Sequence, residues 1–144
     1  MARTAIANYC VDPRLEGFVT EFQTFLGVDK VYRFKTPGPD GIYAKHGEVG
    51  FRLEYDGNIA GIQRLDNVLG GTDLFAFVGH HDCAGFPVPD EEHKRATLAA
   101  AQRLSQVVRR WPHKPRVVVA VFQYPDGNTW KFQELGRFPV PVAG

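Results

Sequence analysis

Hydrophobic and polar residues recur along the chain in blocks that predict strands and helices. Five blocks have the length and composition of strands, at residues 4–9, 30–35, 73–79, 116–123 and 129–135. Three longer blocks repeat apolar residues every three or four positions, which predicts helices at residues 13–26, 58–69 and 90–111. Residues 36–41 are rich in proline and glycine and predict a loop. Residues 42–56 fit neither period, so a hairpin around residues 46–47 and an irregular insert both stay open.

The order of these blocks predicts the fold class. Alternating strands and helices indicate an α/β protein with a mainly parallel sheet, strand order about 2-1-3-4 and helices on both faces. The turn at residues 124–128 is too short for a crossover, so the last strand is expected to be an antiparallel edge strand. A chain of 144 residues is expected to form one domain, residues 1–144.

Composition and charge mainly exclude classes of protein. The formal net charge of +1 provides no basic face for nucleic acid. No apolar run is long enough to span a membrane, and the first ten residues lack the pattern of a signal peptide, so a cytoplasmic location is expected by default. In a reducing compartment the two cysteines are expected to be free thiols or metal ligands rather than a disulfide.

Three residues with metal-binding side chains lie at strand ends. Cys10 ends the first predicted strand, and His80 and Cys83 follow the third. In a 2-1-3-4 sheet these strands are neighbours, and ligands bind at their carboxyl ends where the strand order reverses. Each cysteine alone is most simply a small core residue. Together with His80 they predict a zinc site, because two thiolates and one imidazole suit zinc and leave a fourth position for water or substrate.

The motifs around these ligands resemble those of the β-class carbonic anhydrases. Residues 10–14, Cys-Val-Asp-Pro-Arg, resemble the family motif Cys-x-Asp-x-Arg, and residues 79–85, Gly-His-His-Asp-Cys-Ala-Gly, resemble Gly-His-x-Asp-Cys-Gly. Residues 35–38 lie where the family has a basic residue followed by Asn-Ala-Gly. The resemblance implies reversible hydration of carbon dioxide to bicarbonate by hydroxide formed on zinc. It also implies a homodimer or a larger assembly of dimers.

The resemblance also implies roles for individual residues. Three residues are the implied zinc ligands: Cys10, His80 and Cys83. Asp12 would orient the hydroxide, and Arg14 would hold Asp12 away from the metal. Gly38 and Gly85 are expected to let the backbone approach the substrate closely. Pro13 replaces the small residue that is usual in the family and biases Asp12 towards extended backbone.

Other functions stay open at this point. Relatives with the same motifs hydrolyse carbon disulfide or carbonyl sulfide, which are also linear and apolar. A non-catalytic zinc-binding homologue, closed by Asp12 on the metal, is a further alternative that Pro13 and the short chain motivate. A nucleotide-binding protein is a weaker one, because the loop after the first strand has no glycine-rich phosphate cradle.

The remaining polar residues are interpreted as peripheral. Asp82 is expected to cap its own loop rather than to act in catalysis, and His81 is expected to face solvent. Asp90 is expected to cap the long helix that follows. The other histidines are expected at the surface: His46, His93 and His113.

Overall fold

The computed structural model describes residues 3–45 and 47–141. These residues form a five-stranded sheet with the order β2-β1-β3-β4-β5. The strands are β1 (Thr4–Cys10), β2 (Lys30–Thr36), β3 (Leu74–His80), β4 (Val117–Asp126) and β5 (Thr129–Pro139). The first four strands are parallel, and β5 runs antiparallel to β4 at the edge. The predicted fold class, strand order and edge strand are confirmed.

The helices of the described residues are α1 (Val19–Leu26), α2 (Pro39–Ala44), α3 (Val49–Leu69) and α4 (Asp90–Val107). The predicted helix at residues 13–26 begins as a 3₁₀ turn, Pro13–Phe18, whose start suits the fixed φ of proline. The helix predicted to reach residue 111 ends at Val107 and continues as the 3₁₀ turn Val108–Arg110. No helix in the described part of the chain combines the length and apolar character that crossing a membrane requires.

Both predictions for residues 42–56, a hairpin and an irregular insert, are wrong. Apart from the short link at residues 45 and 47–48, the described residues of this stretch belong to α2 and α3, and α2 begins at Pro39 inside the predicted loop. On α3 the buried residues are Tyr55, Asn58, Ile62 and Asp66, which recur at helical spacing. The helical period is therefore present, but three of these four positions carry polar atoms. His46, predicted to lie at the surface, falls outside the described residues.

The core consists of two apolar clusters on opposite faces of the sheet, as alternating strand residues require. One cluster contains Ala5, Ala7 and Tyr9 of β1 together with Phe22 and Leu26 of α1. The other contains Ile6 of β1 and residues of α2, α3 and α4. This packing fixes the carboxyl ends of β1 and β3 next to each other.

Candidate metal centre

Cys10, His80 and Cys83 converge at the carboxyl edge of the sheet. Cys10 is the last residue of β1 and His80 is the last residue of β3, and these strands are parallel neighbours. The loop after β3 then returns Cys83 to the same point. One ligand atom from each residue lies within 4.8 Å of the other two, and all three side chains are buried. The predicted convergence of these residues is confirmed.

The separation of the two sulfurs fits a metal ion. Cys10 Sγ and Cys83 Sγ are 3.8 Å apart, and both cysteines are free. Two thiolates at about 2.3 Å from a tetrahedral zinc ion have sulfurs about 3.8 Å apart. The sulfurs therefore already have the spacing that a tetrahedral metal ion requires.

The ring of His80 is oriented for metal binding by its neighbour. His80 Nδ1 lies 2.8 Å from the carbonyl oxygen of His81 and donates its hydrogen to that oxygen. Its Nε2 atom is buried and has no hydrogen-bond partner. A hydrogen bond from one ring nitrogen to a carbonyl leaves the other nitrogen with a free lone pair, which is the usual arrangement of metal-binding histidines.

The pKa values of the two thiols shift in opposite directions. The hydrogen bond from Cys83 lowers the pKa of Cys10 to about 4, against the opposing effect of burial, and His80 adds to the lowering. The same hydrogen bond, together with burial, raises the pKa of Cys83. Negative charge is therefore concentrated on the Cys10 sulfur. A coordinated metal cation removes the remaining proton, because metal-bound thiols are deprotonated.

Nearby backbone groups also affect the charge of the two sulfurs. Besides the Cys83 hydrogen bond, the N–H of Gly38 lowers the pKa of Cys10. At Cys83, the N–H groups of Gly85 and Phe86 act against the raising of the pKa by Cys10. Backbone groups of the Gly38 loop and of the loop that contains Cys83 thus favour negative charge on the sulfurs.

Gly38 and Gly85 are in direct backbone contact. A Cβ atom on Gly38 would lie 2.7 Å from the carbonyl carbon of Gly85, and one on Gly85 would lie 2.7 Å from the nitrogen of Gly38. Gly38 also has a φ of 47°, which favours glycine. The close approach of the backbone at these positions therefore joins two loops to each other. Contact of either glycine with a substrate stays a prediction.

Asp12 and Arg14 form a close ion pair two residues beyond Cys10. The carboxylate accepts hydrogen bonds from the Arg14 backbone nitrogen at 2.9 Å, from Nε at 3.0 Å and from Nη2 at 2.6 Å. These bonds hold the pKa of Asp12 below its usual range, although burial opposes them. The backbone of Asp12 is extended, with φ of −54° and ψ of 120°, as expected before Pro13.

Arg14 also ties the loop after β1 to the loop after β3. Its Nη2 donates to the backbone oxygen of Asp82 at 2.7 Å, its Nη1 donates to the Asp82 carboxylate at 3.2 Å, and its guanidinium lies 5.4 Å from the centre of the Trp130 ring. Asp82 has a φ of 55°, the only positive value of a non-glycine residue within the described ranges. The carboxylate expected to cap its own loop is thus exposed and paired with Arg14.

His81 is partly open to solvent, as predicted, whereas the predicted capping role of Asp90 is wrong. His81 is half-exposed, and its Nδ1 lies 2.9 Å from both carboxylate oxygens of Asp90. Asp90 does not cap α4, because the cap position is Pro89 and no side chain fills it. The first turn of α4 still carries acidic residues, whose charge is favourable at a helix N-terminus.

The prediction that His93 lies at the surface is wrong. His93 is 1% exposed and pairs through Nε2 with Asp40, which is also 1% exposed. Thr97 is fully buried, and its single hydroxyl group can donate to the same Asp40 oxygen at 3.0 Å or to the His93 carbonyl oxygen at 2.9 Å. The signal was present in the spacing, because His93 precedes the buried residues Thr97, Ala100 and Leu104 at helical intervals. His113 is exposed, as expected.

Comparison with known proteins does not identify a family. No family model matches the chain, and no curated protein matches it. The candidate function therefore depends on the residues of the site.

Proposed function

We propose that this protein is a zinc-dependent enzyme that hydrates carbon dioxide to bicarbonate. The observation that carries the proposal is the buried Cys10, His80 and Cys83 cluster with the Asp12–Arg14 ion pair beside it. Two thiolates and an imidazole favour zinc over metals that prefer carboxylate ligands. A bound zinc ion supplies water that ionises near neutral pH, because it lowers the pKa of that water to about 7.

Asp12 is suited to orient the attacking nucleophile. Its carboxylate is charged at neutral pH, since the hydrogen bonds from Arg14 lower its pKa. Two carboxylate oxygens offer about four lone-pair sites, so the bonds to Arg14 leave acceptor capacity for one more O–H group. In the proposed reaction Asp12 accepts that hydrogen bond and directs the free lone pair of the nucleophile towards carbon dioxide.

Arg14 acts on Asp12 rather than on the substrate. All three guanidinium nitrogens are engaged, by Asp12 and by Asp82. A side chain held at so many points keeps the carboxylate of Asp12 in place. Within the described residues the group of potential ligands does not include Asp12, so three side chains would hold the metal and would leave room for water or substrate. This arrangement disfavours the closed, non-catalytic alternative.

Stopped-flow measurement of carbon dioxide hydration at alkaline pH tests the proposal, on protein with a measured zinc content. We expect one zinc per chain and activity that is lost in Arg14→Ala while zinc is retained. Arg109→Ala is the matched control, since Arg109 is exposed and lies in the 3₁₀ turn after α4. Activity in that variant should equal the wild-type value.

Other results would point to the alternatives. A protein with one zinc per chain that turns over only carbonyl sulfide or carbon disulfide has the proposed site but another substrate. A zinc-loaded protein that is inactive on all three substrates contradicts an enzymatic role. A chain that binds no zinc contradicts the metal centre itself.

A further inference from the structure

A buried polar cluster lies directly behind the candidate metal centre. It consists of Asp40 on α2 and of His93 and Thr97 on α4, and all three are almost completely buried. The ring of His93 lies 6.1 Å from that of His80. The residues of this Asp40–His93–Thr97 cluster take no part in the proposed chemistry, so their burial needs another explanation.

The cluster contacts both loops whose backbones meet at Gly38 and Gly85. Asp40 lies two residues after Gly38, and the Gly38 carbonyl accepts hydrogen bonds from the first turn of α2, including Gly41 N at 3.0 Å. Fixing Asp40 therefore fixes the backbone at Gly38. On the other side, the His93 ring packs at 5.3 Å against Phe86, which follows Gly85.

Strand β3, which ends at His80, also packs closely against this cluster. A Cβ atom on Gly79 would collide with the Thr97 hydroxyl and would lie 3.0 Å from His93 Cδ2. The glycine that precedes the ligand thus lets α4 approach β3 closely enough for His93 to reach Asp40. The cluster is in this way connected to the Gly38 loop, to the Gly85 loop and to the strand that ends at His80.

We infer that Asp40, His93 and Thr97 are positioning residues, which hold the Gly38 and Gly85 loops against each other beside the Cys10, His80 and Cys83 cluster. This inference rests on the proposed metal centre but not on the identity of its substrate. A buried polar or ionic pair adds little to stability and can often be replaced by apolar side chains without loss. A cluster that served only the core would therefore be replaceable without effect on metal binding.

The test is cobalt(II) binding to the double variant Asp40→Leu/His93→Phe, which substitutes apolar side chains for both partners. Cobalt(II) reports its thiolate ligands through charge-transfer absorption in the near ultraviolet. We expect the variant to fold, with a shifted absorption and an affinity about 10- to 100-fold weaker, as is typical when groups that support metal ligands are removed. Ser105→Ala is the matched control: Ser105 is a buried hydroxyl on α4 whose hydrogen bond stays within the helix. Its affinity and spectrum should equal those of the wild type.

Wild-type affinity and an unshifted spectrum in the folded double variant would overturn the inference. If that variant does not fold, Thr97→Val decides, because it removes only the hydroxyl that can donate to Asp40. Weaker cobalt binding in Thr97→Val, restored by Thr97→Ser, supports positioning, whereas unchanged binding refutes it. Failure of the proposed function looks different: the wild type then binds no cobalt, or binds it and is inactive with zinc.

Discussion

The sulfur of Cys83 lies 3.8 Å from that of Cys10, although the two residues are 73 positions apart in the chain. A metal ion held by both joins the loop after β3 to the end of β1, so its binding energy contributes to folding. We expect Cys83→Ser to lose the metal and, with it, about 4 kcal/mol of unfolding free energy at a metal concentration 1,000 times the Kd. Metal analysis and thermal unfolding measure the two losses together.

The wild type in a strong chelator is the control for this substitution. Its melting temperature should fall to that of Cys83→Ser, since the same metal ion is absent from both. A variant that keeps its full metal content and its melting temperature would remove Cys83 from the ligand set.

Asp66 is a second residue whose burial has a measurable consequence. It is 0% exposed, and neither carboxylate oxygen has a hydrogen-bond partner. Burial raises its pKa, and the charge of His113 offsets this only in part. We expect Asp66→Asn to raise the unfolding free energy at pH 7 by about 1–3 kcal/mol, because an unpaired charge no longer has to be buried.

The pH dependence of this gain follows from the direction of the shift. A carboxyl group whose pKa is higher in the folded protein stabilises the fold at low pH, and this contribution is lost as the pH rises through the folded value. The difference between Asp66→Asn and the wild type should therefore be small in acid and should grow from the usual aspartate range towards neutrality. Urea unfolding of both proteins at several pH values measures it, and a difference that is constant with pH would contradict the assignment.

At the scale of secondary-structure elements, the strands and the helix at residues 58–69 were predicted, whereas α2 and the first half of α3 were not. The five strands carry apolar runs or alternation that the sequence alone reveals, and the ligands Cys10 and His80 end two of them. Near its middle, α3 buries Tyr55 and Asn58, and their polar atoms interrupt the apolar repeat by which a helix is recognised in a sequence. The burial of His93 was also missed, because the sequence does not show that Asp40 lies opposite it. Convergence of strand ends follows from topology, whereas pairing between helices depends on how they pack.

The attachment of α3 to the sheet depends on a buried hydrogen-bond network. Asn58 Oδ1 accepts hydrogen bonds of 2.8 Å from Asn8 Nδ2 and from the Tyr43 hydroxyl, and Asn58 Nδ2 donates to Asn8 Oδ1 at 3.1 Å. We expect Asn58→Leu to lower the unfolding free energy by about 2–4 kcal/mol, because it leaves both polar atoms of Asn8 buried without this partner. Urea unfolding measures the loss.

A double variant separates this network from simple packing. Asn8→Leu/Asn58→Leu removes both polar partners and should recover part of the lost free energy, since two apolar groups of similar shape leave no buried amide unpaired. Asn67→Ala, at an exposed position of α3, should change stability little. An equal or greater loss in the double variant would show that shape, not hydrogen bonding, dominates at Asn58.

At the scale of the whole molecule, the oligomeric state stays a prediction that the resemblance to β-class carbonic anhydrases implies. Large apolar side chains remain exposed on α3, where Leu53 is 83% and Val68 is 75% accessible. Single exposed apolar residues are common in monomers, so these positions alone do not define an interface. The expected homodimer therefore has to be tested by measuring the molar mass in solution.

Light scattering after size-exclusion chromatography should give a multiple of the 16.1 kDa chain mass, with twice that mass as the expected value. A dimer in reversible equilibrium loses mass on dilution, whereas a permanent one does not. The protein with added zinc and a chelated sample should be compared, because a metal ion bound by Cys10, His80 and Cys83 would join the loop after β3 to the end of β1. A mass of 16.1 kDa at all concentrations, with hydration activity intact, would show that one chain provides the complete site.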